Sequence, residues 1–189
     1  MPVFTTSSFL PDLYKKEFTR EKFLDAAVAA GADTIMVGAQ FFPERAMYWT
    51  RMFRTDAQKR GLGFAGILCE SELRVASSEA IQEAVSDLLE WIRISALSKI
   101  SHLWVQINGM QPVDENRIET LSRDLQPVVV TAERYGIVLV FVDGTNMIGQ
   151  NQLLTLVKKL GYTACRIGDV KEAPCENDSV WFTTIKRGA

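Results

Sequence analysis

The chain has 189 residues, of which 47% are hydrophobic and 23% charged, so it is long enough to bury one sizeable core. Its 21 basic and 23 acidic residues give a formal charge of −2 and are spread evenly, which argues against a nucleic-acid partner. The first residues lack the pattern of a signal peptide, and no segment approaches the roughly 20 apolar residues of a membrane span. We therefore expect one globular domain in the cytoplasm, without membrane contact.

Apolar runs and amphipathic stretches predict strands that alternate with helices. In chain order they indicate strand 2–9, helix 20–30, strand 34–38, helix 43–60, strand 62–69, helix 79–100, strand 102–108, helix 114–135, strand 137–142, helix 151–160, and strands 162–167 and 180–185. Pro127 predicts a bend in its helix. Glycines at 31, 61, 136 and 161 predict helix ends.

Continuous apolar strands between helices predict an α/β fold with a parallel sheet. No G-x-G-x-x-G follows the first strand and no G-x-x-x-x-G-K-[ST] occurs, so the phosphate loops of nucleotide-binding open sheets are missing. We favour a TIM-like (β/α) barrel over residues 1–189, incomplete, with about seven strands. An open flavodoxin-like sheet, with its binding site between strands, also fits this order.

The thiols and the single imidazole do not form a metal-binding pattern. Cys69, Cys165 and Cys175 are an odd set without CxxC spacing, and His102 stands at the start of an apolar run. We interpret the thiols as buried or incidental, although the spacing of Cys165 and Cys175 leaves a redox bridge open. His102 is interpreted as a strand-start residue, and no cofactor is expected.

Three phrases of the sequence carry a resemblance to a known superfamily: residues 27–35 (AVAAGADTI), 59–64 (KRGLGF) and 132–139 (AERYGIVL). In these phrases and in the spacing of its elements, the chain resembles the xylose isomerase-like TIM barrels, which include sugar phosphate isomerases and epimerases. The resemblance covers residues 1–145 well and the remainder poorly. It implies a divalent metal held by carboxylates and a histidine at the carboxyl-terminal mouth of the barrel, where two acidic residues move protons on a sugar carbon.

The resemblance also indicates where this chain departs from the family's metal ligands. The glutamates that the family places on strands five and two fall at Val142 and Met36. Asp143 follows Val142 and alternates to the other face of the strand unless a bulge intervenes. Asp169 is the one metal-type ligand that carries over, and Lys186 is the one residue kept from the family's His-x-Lys-Asp phrase. We therefore expect a degenerate site without metal.

The last quarter of the chain leaves no room for the eighth strand of a complete barrel. Seven strands leave two edges or a gap, which a protein covers, twists away or pairs with another subunit. We expect a homo-oligomer, with a dimer formed across the open barrel edge.

Polar residues follow the predicted strands at the end where barrel enzymes bind their ligands. If Met36 and Val142 point inward, alternation also turns several amides and carboxylates inward. Such groups suit hydrogen bonds to sugar hydroxyls, or to a carboxylate or phosphate. The predicted ligand-binding residues are Gln40, Gln106, Asn108, Asp143, Asn146 and Arg166, and the predicted catalytic residues are Glu70, Asp169 and Lys186.

Each of these residues also has a purely structural interpretation. Glu70 is equally consistent with a solvated loop acid, and residues 143–146 have the composition of a tight turn. Asp169 could cap a local turn, Arg166 could face the outer helices, and Lys186 could be an ordinary terminal residue.

Two functions remain open at this stage. The first is an isomerase, epimerase or related lyase that acts on a small sugar or sugar phosphate without metal. In it, Glu70 or Asp169 removes a proton beside a carbonyl, and Lys186 or Arg166 stabilises the enolate charge. The second is a non-catalytic binding or regulatory barrel that partners another protein. The fold cannot choose between them, because one barrel type hosts many chemistries.

Overall fold

The computed structural model describes residues 3–5, 19–42, 47–71, 78–107, 115–143, 150–161, 163–172 and 181–184. The strands in these ranges are β1 (Val3–Thr5), β2 (Thr34–Gly38), β3 (Gly63–Ser71), β4 (His102–Ile107), β5 (Val138–Asp143), β6 (Cys165–Ile167), β7 (Asp169–Glu172) and β8 (Trp181–Thr184). The helices are α1 (Arg20–Ala29), α2 (Met47–Lys59), α3 (Ser78–Leu97), α4 (Glu115–Tyr135) and α5 (Gln150–Leu160), and a short 3-10 helix (Ala39–Phe41) follows β2. Among these described helices, none combines the length and the apolar character needed to cross a bilayer.

The first six strands form a parallel sheet in which spatial order follows chain order, β1 to β6. One helix, α1 to α5, stands between each successive pair of these strands. The predicted α/β class with a parallel sheet is thereby confirmed. A flavodoxin-like sheet reverses its strand order at a switch point, which the described strands do not do, so that alternative is wrong.

The two faces of the sheet are covered differently, and this difference defines a barrel. Alternate strand residues such as Ile35, Val105 and Phe141 are buried together with the apolar faces of all five helices. The intervening residues form a second cluster that contains strand side chains alone: Met36, Leu68, Trp104, Val140 and Val142, with Ala65 and Val138 against it. A doubly wound sheet has helices on both faces. Here the helices lie on one face, and the second cluster is the interior of the barrel.

Trp104 fills much of that interior. Its side chain is fully buried, and its indole Nε1 donates a 3.4 Å hydrogen bond to the carbonyl oxygen of Ala65. Two glycines leave room for the ring. A Cβ atom on Gly168 would lie 2.6 Å from Trp104 Cζ3, and one on Gly66 would lie 2.9 Å from Trp104 Cδ1. Gly66 also has a φ of +148°, which a residue with a side chain rarely adopts. The barrel interior is thus packed below its mouth.

The end of the chain completes the strand order in a way that the sequence did not predict. The predicted strand 180–185 lies at β8, but it runs antiparallel to β1, and β7 runs antiparallel to β8. A parallel crossover needs roughly a dozen residues or more, and the segment 173–180 is shorter than that. Only Gly168 separates β7 from β6, so the two ends of the strand order belong to one stretch of chain. Because β8 pairs with β1, the edge of β1 is not open as the sequence analysis expected. The homo-oligomer remains a prediction.

Candidate functional site

The carboxyl ends of β2 to β6 bring most of the predicted site residues to one end of the barrel. Interior positions on neighbouring strands are in register: Gly38 pairs with Leu68, Leu68 with Trp104, and Trp104 with Val140. One step nearer the carboxyl ends, Glu70 pairs with Gln106 and Gln106 with Val142. The floor of this mouth is therefore apolar, and the row above it carries a carboxylic acid and an amide.

Gln40 stands over the end of β2, in the 3-10 helix that follows the strand. Its Oε1 lies 2.5 Å from where a Cβ atom of Gly38 would be, so the amide group occupies the space that a side chain at 38 would fill. Gly38 is two residues after Met36, on the interior side of the strand. Gln40 remains exposed to solvent while its amide covers this position. Gln40 therefore lies beside an interior position of β2, and its role in binding remains a prediction.

Gln106 is half-buried and lies between two buried residues of the helix-side core, Val105 and Ile107. It follows Trp104 by two residues, which turns it to the interior side at the mouth. Glu70 of β3 is the register partner of Gln106. A half-buried amide above an apolar floor is suited to orienting a polar ligand.

Two further predicted acids lie at the same end of the sheet. Asp143 ends β5 and pairs with Ile107, a residue of the helix-side core. Asp169 follows β6 after Gly168, whose backbone N–H donates a 2.8 Å hydrogen bond to the carbonyl oxygen of Phe141. The register partner of Asp169 is Thr184 of β8. Asp169 therefore stands where β5 and β6 end, one strand away from Val142.

Arg166 is placed differently from the other predicted ligand-binding residues. It pairs with Val140 at the level of Trp104, is exposed, and donates a 2.7 Å hydrogen bond to the carbonyl oxygen of Cys165. Its charge acts on His102, the first residue of β4. Burial, and then the positive charge of Arg166, hold the pKa of His102 below its ordinary value. Arg166 therefore acts toward the amino-terminal ends of the strands.

Three of the predicted site residues, Asn108, Asn146 and Lys186, lie outside the described residues. Cys175 lies there as well, so the possible bridge to Cys165 is untested. Cys69 and Cys165 are both buried, as expected. Burial, followed by the negative charge of Glu133, raises the pKa of Cys165 to about 12, so this thiol stays protonated at neutral pH.

The resemblance implies a hard divalent cation at the mouth, and the structure describes two of the positions where it expects ligands. Such ions need several oxygen ligands. The two positions where the resemblance expects glutamates carry Met36 and Val142, buried in the interior with 2% and 1% of their surface exposed. No group of three or more potential metal-binding side chains occurs in the part of the chain that the structure describes.

Sequence reasoning missed Trp104 and the glycines that make room for it. The signal was present, since an indole on the interior side of a strand needs small neighbours on the strands beside it. What the sequence could not supply is the pairing that brings residues 66 and 168 to the same ring.

Comparisons with known proteins agree with this architecture. No family model and no curated protein matches the sequence. Among solved structures, a xylose isomerase domain protein from Planctomyces limnophilus superposes with a TM-score of 0.63 at 16% identity, over 76% of this chain and 55% of that one. A D-psicose 3-epimerase with D-tagatose from Clostridium cellulolyticum H10 gives 0.60 at 12% identity, over 80% and 57%. A sugar phosphate isomerase/epimerase from Parabacteroides distasonis gives 0.62 at 11%, over 87% and 63%.

These likenesses establish the fold. The chain has the architecture of the xylose isomerase-like TIM barrels, as the resemblance of its sequence implied. It spans 55 to 63% of the length of these three structures.

Proposed function

We propose that this barrel binds a small carbohydrate-type ligand at its carboxyl-terminal mouth and acts on it in the manner of a sugar phosphate isomerase or epimerase, without a metal. The observation that carries the proposal is the row of polar residues at the ends of three neighbouring strands: Gln40 beside Gly38 after β2, then Glu70 and Gln106 in register. A sugar presents apolar C–H faces and polar hydroxyl edges. The apolar floor and the polar rim above it match these two kinds of surface.

The chemistry of such a site is proton transfer beside a carbonyl group. Glu70 or Asp169 is proposed as the base that removes the proton, and Lys186 as the cation that stabilises the enolate. Gln40, Gln106, Asn108, Asp143 and Asn146 are proposed to orient the hydroxyl groups. A ketohexose is a suitable first probe, because one structure of similar fold is a D-psicose 3-epimerase with D-tagatose.

Binding at the mouth is tested by titrating D-psicose and D-tagatose into the protein by calorimetry. Replacing Gln106→Leu removes hydrogen-bonding atoms and should weaken binding about three- to tenfold. Gln126→Leu, at an exposed position on α4, is the matched control and should leave the affinity unchanged. Equal affinity in the wild type and in Gln106→Leu would contradict the proposed site.

Catalysis is tested by incubating the same sugars with the protein in D2O, with EDTA or with added Mn²⁺. A base that removes a carbon-bound proton and returns one from solvent introduces deuterium, which ¹H NMR detects as loss of a C–H signal. We expect incorporation in EDTA, and loss of it when both Glu70→Gln and Asp169→Asn are introduced. Incorporation that appears only with Mn²⁺ would contradict the metal-free mechanism.

A second candidate, a non-catalytic binding or regulatory barrel that partners another protein, is favoured by the apolar residues Met36 and Val142 at the positions of the family's glutamates. It predicts saturable sugar binding without deuterium incorporation under either condition. A homo-oligomer in the cytoplasm remains part of the proposal, and sedimentation at increasing protein concentration tests the oligomer.

A further inference from the structure

A cavity of about 330 Å³ lies in the helical layer, between α2 and the end of α3. It is lined by Arg51, Arg54, Thr55, Gln58, Leu97, Ser98 and Lys99. Because α3 ends shortly before β4 begins, this cavity lies at the amino-terminal side of the sheet, away from the mouth. It is independent of the function proposed above.

The cavity gathers three cations and, among its described lining residues, no carboxylate. Arg51 and Arg54 share one face of α2 at a spacing of three residues, and Lys99 faces them from the end of α3. Asp56 of the same helix is engaged elsewhere: its carboxylate lies 3.0 Å from Arg20 Nε and 3.2 Å from Lys59 Nζ. The positive charge of the cavity therefore lacks a neutralising partner among these residues.

Helix capping accounts for only part of this arrangement. Arg51 Nη2 donates to the carbonyl oxygen of Leu97 at 2.9 Å, and Arg54 Nη1 donates to that of Ser98 at 2.6 Å. Each guanidinium carries five N–H groups, so these contacts leave donors for another acceptor. Ser98 lines the cavity, is 1% exposed, and has a hydroxyl group without a hydrogen-bond partner among the described residues.

Lys99 is an unfavourable choice for its backbone position. It has a φ of +56°, where the N–H of Lys99 bonds to Ala96 and that of Ile100 to Ser95, the pattern that ends helices at glycine. A lysine here costs stability that glycine or asparagine would not. A residue that breaks a local rule without structural gain points to a role in binding.

We propose that this cavity is a binding site for a small polyanion, such as a phosphorylated metabolite, held by Arg51, Arg54 and Lys99. Two guanidinium groups and an ammonium group match the oxygen geometry and charge of phosphate. The volume lies at the lower end of the range of small-molecule sites. The positive charge of the cavity, its unused N–H donors and its volume all favour a small polyanion.

The test is calorimetric titration of the whole chain with pyrophosphate at constant ionic strength. The wild type should bind about one equivalent with a Kd of about 1 mM or lower. Lys99→Asn and Arg51→Gln should each weaken binding about tenfold. Lys158→Gln, which removes an exposed charge on α5, and Gln106→Leu at the mouth should leave binding unchanged.

Thermal unfolding separates loss of binding from loss of folding. Lys99→Asn relieves the backbone and should raise Tm by about 2 °C while it weakens pyrophosphate binding. Opposite changes in stability and affinity cannot arise from partial unfolding. Absence of saturable binding by the wild type, or equal weakening by Lys158→Gln, would overturn the proposal.

Discussion

At the scale of single residues, His102 is a convenient probe of the environment at the start of β4. It is the only histidine in the chain, so its imidazole signal needs no assignment. Burial and then the charge of Arg166 lower its pKa from the ordinary value of 6.5. Below pH 6.5 the unfolded chain therefore binds a proton more readily than the folded one. The stability that this group contributes falls as the pH drops from 6.5 through the folded pKa.

We expect ¹H NMR to show the single imidazole titrating below pH 6.5. Arg166→Gln should raise this pKa without restoring it fully, since burial remains the larger cause. Arg123→Gln, on α4, serves as the charge-matched control. A wild-type pKa at or above 6.5, or no response to Arg166→Gln, would contradict the described environment.

Gly168 is the residue whose replacement tests the packed interior. A methyl group there would meet Val142 Cγ1 at 2.5 Å and Trp104 Cζ3 at 2.6 Å. Gly168→Ala should lower the free energy of unfolding by about 1–3 kcal/mol, measured by urea denaturation. In a Val142→Ala background the same change should cost less, because the nearest of the atoms that crowd the new methyl group is gone. Equal costs in both backgrounds would show that these side chains do not meet.

The inward orientation of two residues was predictable, whereas the packing around them was not. The family resemblance implied that Met36 and Val142 point inward, and both lie in the interior cluster; alternation then extends that side along a strand. The alternation of side chains also predicts that Gln106 lies on the interior side of β4. It did not place Arg166, because a long side chain can reach either end of a barrel from one backbone position.

At the scale of elements, α4 continues through Pro127, where the sequence predicts a bend. Proline there has no N–H to donate to the carbonyl oxygen four residues earlier, at Arg123. Pro127 is exposed, so its side chain adds little packing in return. Pro127→Ala should raise the free energy of unfolding by about 1–3 kcal/mol in urea denaturation. The neighbouring exposed change Gln126→Ala should alter it by less than about 0.5 kcal/mol. A destabilising Pro127→Ala would contradict the view that the missing hydrogen bond at Pro127 costs the helix stability.

The helices and the first five strands followed from local signals, and the end of the chain did not. Thr19 accepts a hydrogen bond from the backbone N–H of Lys22 at the start of α1, and a glycine follows α1, α2, α4 and α5 within two residues. These signals act over a few residues. The antiparallel pairing of β7 and β8 depends on which edge is available, and that is a property of the assembled sheet.

At the scale of the whole molecule, the burial of strand residues in two separate clusters distinguishes a barrel from an open sheet. The helix-side cluster contains residues of all five described α-helices, and the interior cluster contains no described helix residue. Periodicity predicted the strands and helices but could not decide between these architectures, because both present apolar strands between helices. The resemblance to xylose isomerase-like barrels decided it, and the superposed structures agree.

The central claim, a sugar-type ligand at the carboxyl-terminal mouth, is tested most directly by NMR. Amide signals of the ¹⁵N-labelled protein are followed during titration with D-psicose, an unphosphorylated probe that the cationic cavity should not bind. The account predicts saturable shifts at the ends of β2 to β5, at Gly38, Glu70, Gln106 and Val142. Shifts confined to other parts of the chain, or none at saturating sugar, would contradict it.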